Sequence, residues 1–155
     1  MNVHNERITS PCGRELLSMS FPSSRGAGLA AVGAILGAVE GGGLSTVIGR
    51  QELRLVIDEA VTNAMEHGNR WDPGRKVTVV VSHAAERLRI AIGDEGAGFR
   101  PETCPAATGQ LKERGRGLSL MRYYCDTAWN ERGNVVILYF ALAERPTTSC
   151  AVRTP

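Results

Sequence analysis

The chain has 155 residues, 43% of them hydrophobic and 22% charged, with a formal net charge of +2; this is one domain with a real core, globular in composition. Its eighteen cations are all arginine except Lys76 and Lys112, no basic run of five occurs, and aromatics make up only 5%, which argues against nucleic acid as a direct partner. Cys12, Cys104, Cys125 and Cys150 show no CxxC and no histidine at ligand spacing, so zinc and thioredoxin-type readings fail and reduced thiols in a cytoplasmic protein are expected.

Residues 1–13 are polar and expected to be loosely ordered. Glu6, Arg7, Arg14 and Glu15 interrupt every apolar run before Pro22, so no signal peptide is read there. Leu17, Met19 and Phe21 alternate with Ser18 and Ser20 and predict a first strand, a candidate sheet edge. Ser23 or Ser24 can cap a helix over about 25–40, which ends at Gly41-Gly42-Gly43. That helix carries Gly26, Gly28, Gly33 and Gly37, each costing up to about 1 kcal/mol against Ala, and close packing is the expected compensation. Although apolar, the stretch over 26–39 is too short to span a bilayer, and a soluble protein without membrane contact is expected.

A second helix is predicted from about Ser45 to Glu66, with Gly68 as its stop. Leu53, Val56, Ile57, Ala60, Val61 and Ala64 form a broad apolar arc, the width of a core-facing helix. Beside it run Glu52, Glu59, Asn63 and Glu66 in a narrow polar stripe. Such a stripe is either a solvated rim or a set of groups put to use, because half-buried carboxylates and amides are costly unless paired. The turn Trp71-Asp72-Pro73-Gly74 follows, its tryptophan either a partner contact or a hairpin anchor. Lys76–Ser82 and Arg87–Gly93 read as a β-hairpin, the second strand setting Leu88, Ile90 and Ile92 against Arg87 and Arg89. Arg100 to Glu113 has no periodicity and reads as a long loop. A helix opens at Gly115-Arg116-Gly117 and runs from Leu118 to about Cys125. A last hairpin pairs Thr127–Asn130 with Asn134–Leu142. The order β, α, α, β, β, loop, α, β, β predicts an α+β two-layer sandwich, one mixed and mostly antiparallel sheet with helices on one face. The domain is read over 15–143, with 1–14 and 144–155 as flexible termini.

Three pieces carry chemistry. Asp94 follows a buried strand and precedes Gly96-x-Gly98. A carboxylate there favours adenine, whose exocyclic amine it can accept from; guanine would set two acceptors against each other. The same residues also suit a plain β-turn. Gly115-x-Gly117 at a helix start would offer unpaired N–H groups to phosphate, with Lys112, Arg114 and Arg116 adding charge, or would simply let a loop turn into a helix. No Walker A motif and no dinucleotide fingerprint occurs, which excludes a P-loop enzyme.

Taken in order, Glu59-x3-Asn63, Asp94-x-Gly96-x-Gly98 and Gly115-x-Gly117 resemble the N box and two glycine boxes of the GHKL ATPase superfamily. The phrases Asp58-Glu-Ala-Val-Thr-Asn-Ala64 and Glu113-Arg-Gly-Arg-Gly-Leu118, with Met121, are most similar in wording to the anti-sigma-factor serine kinases of bacterial partner-switching systems. The resemblance runs from about Leu16 to Leu142 and implies the Bergerat ATPase fold. It implies Glu59 as general base, Asn63 as Mg²⁺ ligand and Asp94 as holder of the adenine amino group. Gly96 and Gly98 would allow close approach of the base, and Lys112, Arg114, Gly115, Arg116 and Gly117 would belong to a lid over the phosphates. Its cofactors would be ATP and Mg²⁺. The activity implied is that of a protein-serine kinase that also sequesters a sigma factor and phosphorylates a STAS-type anti-sigma-factor antagonist, commonly as a homodimer. A nucleotide-gated regulator that binds its partner without kinase activity is the alternative, against which the N box argues, because pure binding has no use for a base beside the metal. An ATPase module acting with other chains is a third.

Overall fold

In the computed structural model, residues 13–99 and 110–144 are described, with side chains omitted for 110–115. The elements are β1 (Arg14–Pro22), α1 (Arg25–Gly41), α2 (Arg50–Asn63) running into a π-helical turn (Ala64–Gly68), β2 (Lys76–Ala84), β3 (Arg87–Gly93), α3 (Gln110–Tyr124), β4 (Asp126–Trp129) and β5 (Val135–Ala141). The five strands form one sheet in the order β1-β2-β3-β5-β4, so β1 is an edge as its weak alternation suggested. All four pairings are antiparallel, so among the described residues the sheet is wholly antiparallel rather than mixed as expected, strands consecutive in the chain being joined by a hairpin or a helical return. The α+β two-layer sandwich expected from the element order is what forms.

Register explains which face the helices cover. Leu17, Val81, Ile90 and Leu138 stand in one row across four strands, and they join Val56, Ile57, Val61, Ile35 and Val32 in a single core. Burying each such branched side chain contributes roughly 1.5–3 kcal/mol. The neighbouring row, Ser18, Val80, Ala91 and Ile137, lies on the other face because side chains alternate along a strand. There Arg87 pairs with Asp126 and sits over the Tyr139 ring.

One open choice is settled and three local expectations are corrected. Of the two serines, Ser24 caps α1 through its side chain to the Ala27 N–H, while Ser23 is buried and donates to the Arg75 carbonyl. Among the α1 glycines only Gly28 is closely packed, against Met65 and Val61; Gly26, Gly33 and Gly37 have open space where a β-carbon would stand. The second helix starts at Arg50 rather than Ser45, because Ser45–Val47 pair with the end of β5: Thr46 bridges Leu142, and Ser45 accepts from the Ala143 N–H. At its far end the α-helix stops at Asn63 and widens, the Asn69 N–H reaching the Ala64 carbonyl five residues back. The chain then reverses at Arg70 and Trp71, both at positive φ, and Trp71 packs against the core with Arg25 over its ring. That favours the anchor reading of this tryptophan.

Candidate functional site

A cavity of about 360 Å³ opens between the C-terminal half of α2, its π-turn, the end of β3, α3 and the β4–β5 hairpin. Its size falls within the range of small-molecule sites, and its wall is about equally polar and apolar. Ile92, Leu118, Met121 and Val136 supply apolar wall, and Phe99 and Trp129 an aromatic corner in which the two rings meet edge to face. The polar groups come from elements distant in sequence, chiefly Asn63 on α2 and Asp94 after β3.

Asp94 is held from several sides. Its N–H donates to the Asn134 carbonyl and its carbonyl accepts from the Asn134 amide, each at 2.9 Å. One carboxylate oxygen accepts from the Gly96 N–H at 2.8 Å. Gly68 lies so close that a β-carbon there would overlap the Asp94 carboxylate. Gly68 is therefore required by packing against Asp94 rather than as a helix stop. The glycines after Asp94 are likewise required by the fold: a β-carbon on Gly96 would strike the Gly68 carbonyl, and Gly98, at φ +81°, has the Arg132 carbonyl in that place. The close approach these glycines permit in the fold is by this protein's own backbone. Arg132 adds a side-chain bond to the Gly96 carbonyl at 3.2 Å.

Glu59, one turn before Asn63, is half-buried. Burial raises its pKa above the ordinary 4.5; a hydrogen bond with Asn63 opposes the shift, and Asp58 and Glu66 add to it. A β-carbon on Gly117 would overlap the Glu59 carboxylate, so α3 crosses α2 at these two residues. Gly115 and Gly117 lie inside α3, which begins at Gln110. This corrects the expectation of a helix start there, and with it the argument from unpaired N–H groups, since a helix leaves those only in its first turn. The expected loop is shortened too, because 110–113 is helical. Its remainder, 100–109, and the side chains of Lys112 and Arg114 lie outside the described residues; Arg116 is exposed.

Asn63, Asp94 and Gly98 are thus brought to one cavity, Glu59 to its partner Asn63, and Gly96 to Gly68. Sequence reasoning missed His67, Arg70, Arg75, Trp129 and Asn134, all on the cavity wall, and Asn69 behind it. The only signal for Asn134 was its place at the start of the last predicted strand, beside a hairpin turn; Asn69, one residue past the predicted stop Gly68, carried none. Among the described residues no group of His, Cys, Asp and Glu is arranged to hold a metal by itself, and no helix is long and apolar enough to cross a membrane.

A helix-covered sheet with a cavity beneath its last helix makes this an α+β domain with a candidate small-molecule site. Residues 23–140 match the family described as Histidine kinase-like ATPase domain, and the chain belongs to that family. It is similar to the anti-sigma F factor of Shouchella clausii (strain KSM-K16), 29% identical over 48% of this chain and 54% of that one. It is 31% identical to the serine-protein kinase RsbW of Bacillus subtilis (strain 168), over 49% of this chain and 53% of that one. With the anti-sigma F factor of Geobacillus stearothermophilus the identity is 30%, over 62% and 72%. The chain spans about half the length of the first two relatives.

Proposed function

We propose that this chain is an ATP- and Mg²⁺-dependent protein-serine kinase of the cytoplasm that binds a sigma factor and phosphorylates a STAS-type anti-sigma-factor antagonist. The observation that carries this reading is the Glu59–Asn63 pair, one member on the wall of a cavity that also holds Asp94. Asp94 accepts from the adenine amino group. Asn63 offers an amide oxygen, a hard donor of the kind Mg²⁺ takes while keeping waters and phosphate oxygens as its other ligands; the donor set fits such a partly protein-held ion. When bound, Mg²⁺ supplies neutralisation of the charge that builds on the phosphates. Glu59 takes the proton from the acceptor serine as its oxygen bonds to the γ-phosphorus and ADP leaves. Lys112, Arg114 and Arg116, with Gly115 and Gly117, form the covering segment over the phosphates. The working domain is 15–143, and self-association along the β1 edge belongs to the same reading. The names of the relatives, anti-sigma F factor and serine-protein kinase, support it.

The test is incubation with γ-labelled ATP, Mg²⁺ and purified candidate antagonists. Label on an antagonist serine is the expected result. Tight, nucleotide-dependent binding without label would replace the kinase by a nucleotide-gated regulator.

A further inference from the structure

We propose that Asn69 is a positioning residue that sets the base preference of the Asp94 site; the inference rests on the ATP reading above. Asn69 is fully buried, at 0% exposure, and polar, an arrangement that is costly unless every polar atom is matched. It is matched: the amide nitrogen donates to Ser23 Oγ at 2.8 Å and to the Lys76 carbonyl at 2.9 Å, and Oδ1 accepts from the Glu95 N–H at 2.8 Å. The first two bonds fasten the end of the π-turn to the β1–α1 junction and to the start of β2. The third acts on the residue directly after Asp94.

The position of Asp94 then has two amide clamps. Asn134 holds its backbone from the β5 side, and Asn69 holds the next peptide from the α2 side. The Glu95 carboxylate adds a bond back to the Lys76 N–H, beside the Lys76 carbonyl that Asn69 already holds. Between the clamps, Gly68 and Gly96 are in direct backbone contact, so the Asp94–Gly96 turn has one seat and no slack. A carboxylate selects an exocyclic amine over a carbonyl only while it is held where the repulsive alternative cannot be relieved by moving. Freed at Glu95, the turn can shift and guanine is no longer refused. Asparagine suits this place because it has two donors and an acceptor on one short planar group; aspartate would turn an acceptor toward the Lys76 carbonyl.

The experiment measures ATP and GTP affinity by calorimetry, with melting temperatures, for wild type, Asn69→Ala, the near-isosteric Asn69→Leu and Ser23→Ala. Both Asn69 variants should lower the ATP-to-GTP affinity ratio by about tenfold, the scale of one buried hydrogen bond lost. Ser23→Ala cuts one bond of the same network but leaves the Glu95 bond, so it should lower the melting temperature and keep the ratio. Ratios within about twofold of wild type in both Asn69 variants would make the residue structural only and overturn the proposal. A Glu95 amide that exchanges in wild-type protein as fast as an open loop would overturn it without any variant. Wild-type protein that binds neither nucleotide would instead remove the ATP reading beneath it.

Discussion

Glu59 shows how one side chain's surroundings set its chemistry. Taking its carboxylate half out of water disfavours the charged form, and Asp58 and Glu66 push the same way against the Asn63 hydrogen bond. As the proposed base it must be ionised, so transfer should rise with pH through a value above 4.5. Glu59→Gln should abolish that limb, cutting transfer by about 10²–10⁴ with ATP affinity little changed; a pH–rate profile and calorimetry check both. The same shift has a stability consequence of known sign. The folded state holds this proton more tightly than the unfolded chain, so the Glu59 contribution is most favourable below 4.5 and is lost as pH rises through the raised value. The melting temperature of Glu59→Gln should therefore gain on wild type as pH rises through that window. Asp94→Asn, by contrast, should leave folding intact and weaken ATP binding by about 1.5–3 kcal/mol, the worth of a hydrogen bond to a charged group. Cys125 is inert by the same physics: burial, with Asp126 beside it, raises its thiol to about 12.

At the scale of elements, glycine means different things in α1 and α3. Gly33 and Gly37 face open space, so Gly33→Ala and Gly37→Ala should each stabilise the protein by about 0.5–1 kcal/mol through helix propensity alone. Gly117 is also helical, yet its missing β-carbon makes room for the Glu59 carboxylate. Gly117→Ala should destabilise despite the better propensity, since α3 must move or Glu59 must leave its rotamer. Chemical denaturation of the three variants gives the comparison directly, and a stabilised Gly117→Ala would remove the α2–α3 contact from the site. The π-turn has a related role: its wider ring ends α2 where Gly68 and Asn69 must meet the Asp94 turn.

For the whole molecule, the site is a seam. Its residues come from α2, the β3 end, α3 and the β4–β5 hairpin, so a ligand seated there ties together segments that unfold together. ATP at a hundredfold excess over its dissociation constant should add about 2.7 kcal/mol of stability, visible as a raised melting temperature that GTP reproduces less well. Equal shifts from both nucleotides would count against adenine selection by Asp94.

The sequence by itself determined much of this. Period-two alternation in Leu88–Ile92 and the apolar arc of 53–64 reflect burial on one face, which is encoded residue by residue, and they gave the strands, the second helix and the sandwich. Glu59, Asn63 and Asp94 stood out only together, through three motifs whose order resembles the GHKL boxes; taken singly, each also suited a solvated rim or a plain turn. Tertiary structure decided the rest. Ser45–Val47 left the helical pattern because β5 offered backbone partners. Gly68 and Gly96 owe their identity to each other and to Asp94, a contact between segments separated by a whole β-hairpin. Asn69, one residue past the predicted helix stop, carried no signal in the sequence and became the buried junction of three segments. Local pattern records which face of a segment is buried; it does not record which backbone will lie against that face, and the positioning groups of this site depend on that second fact.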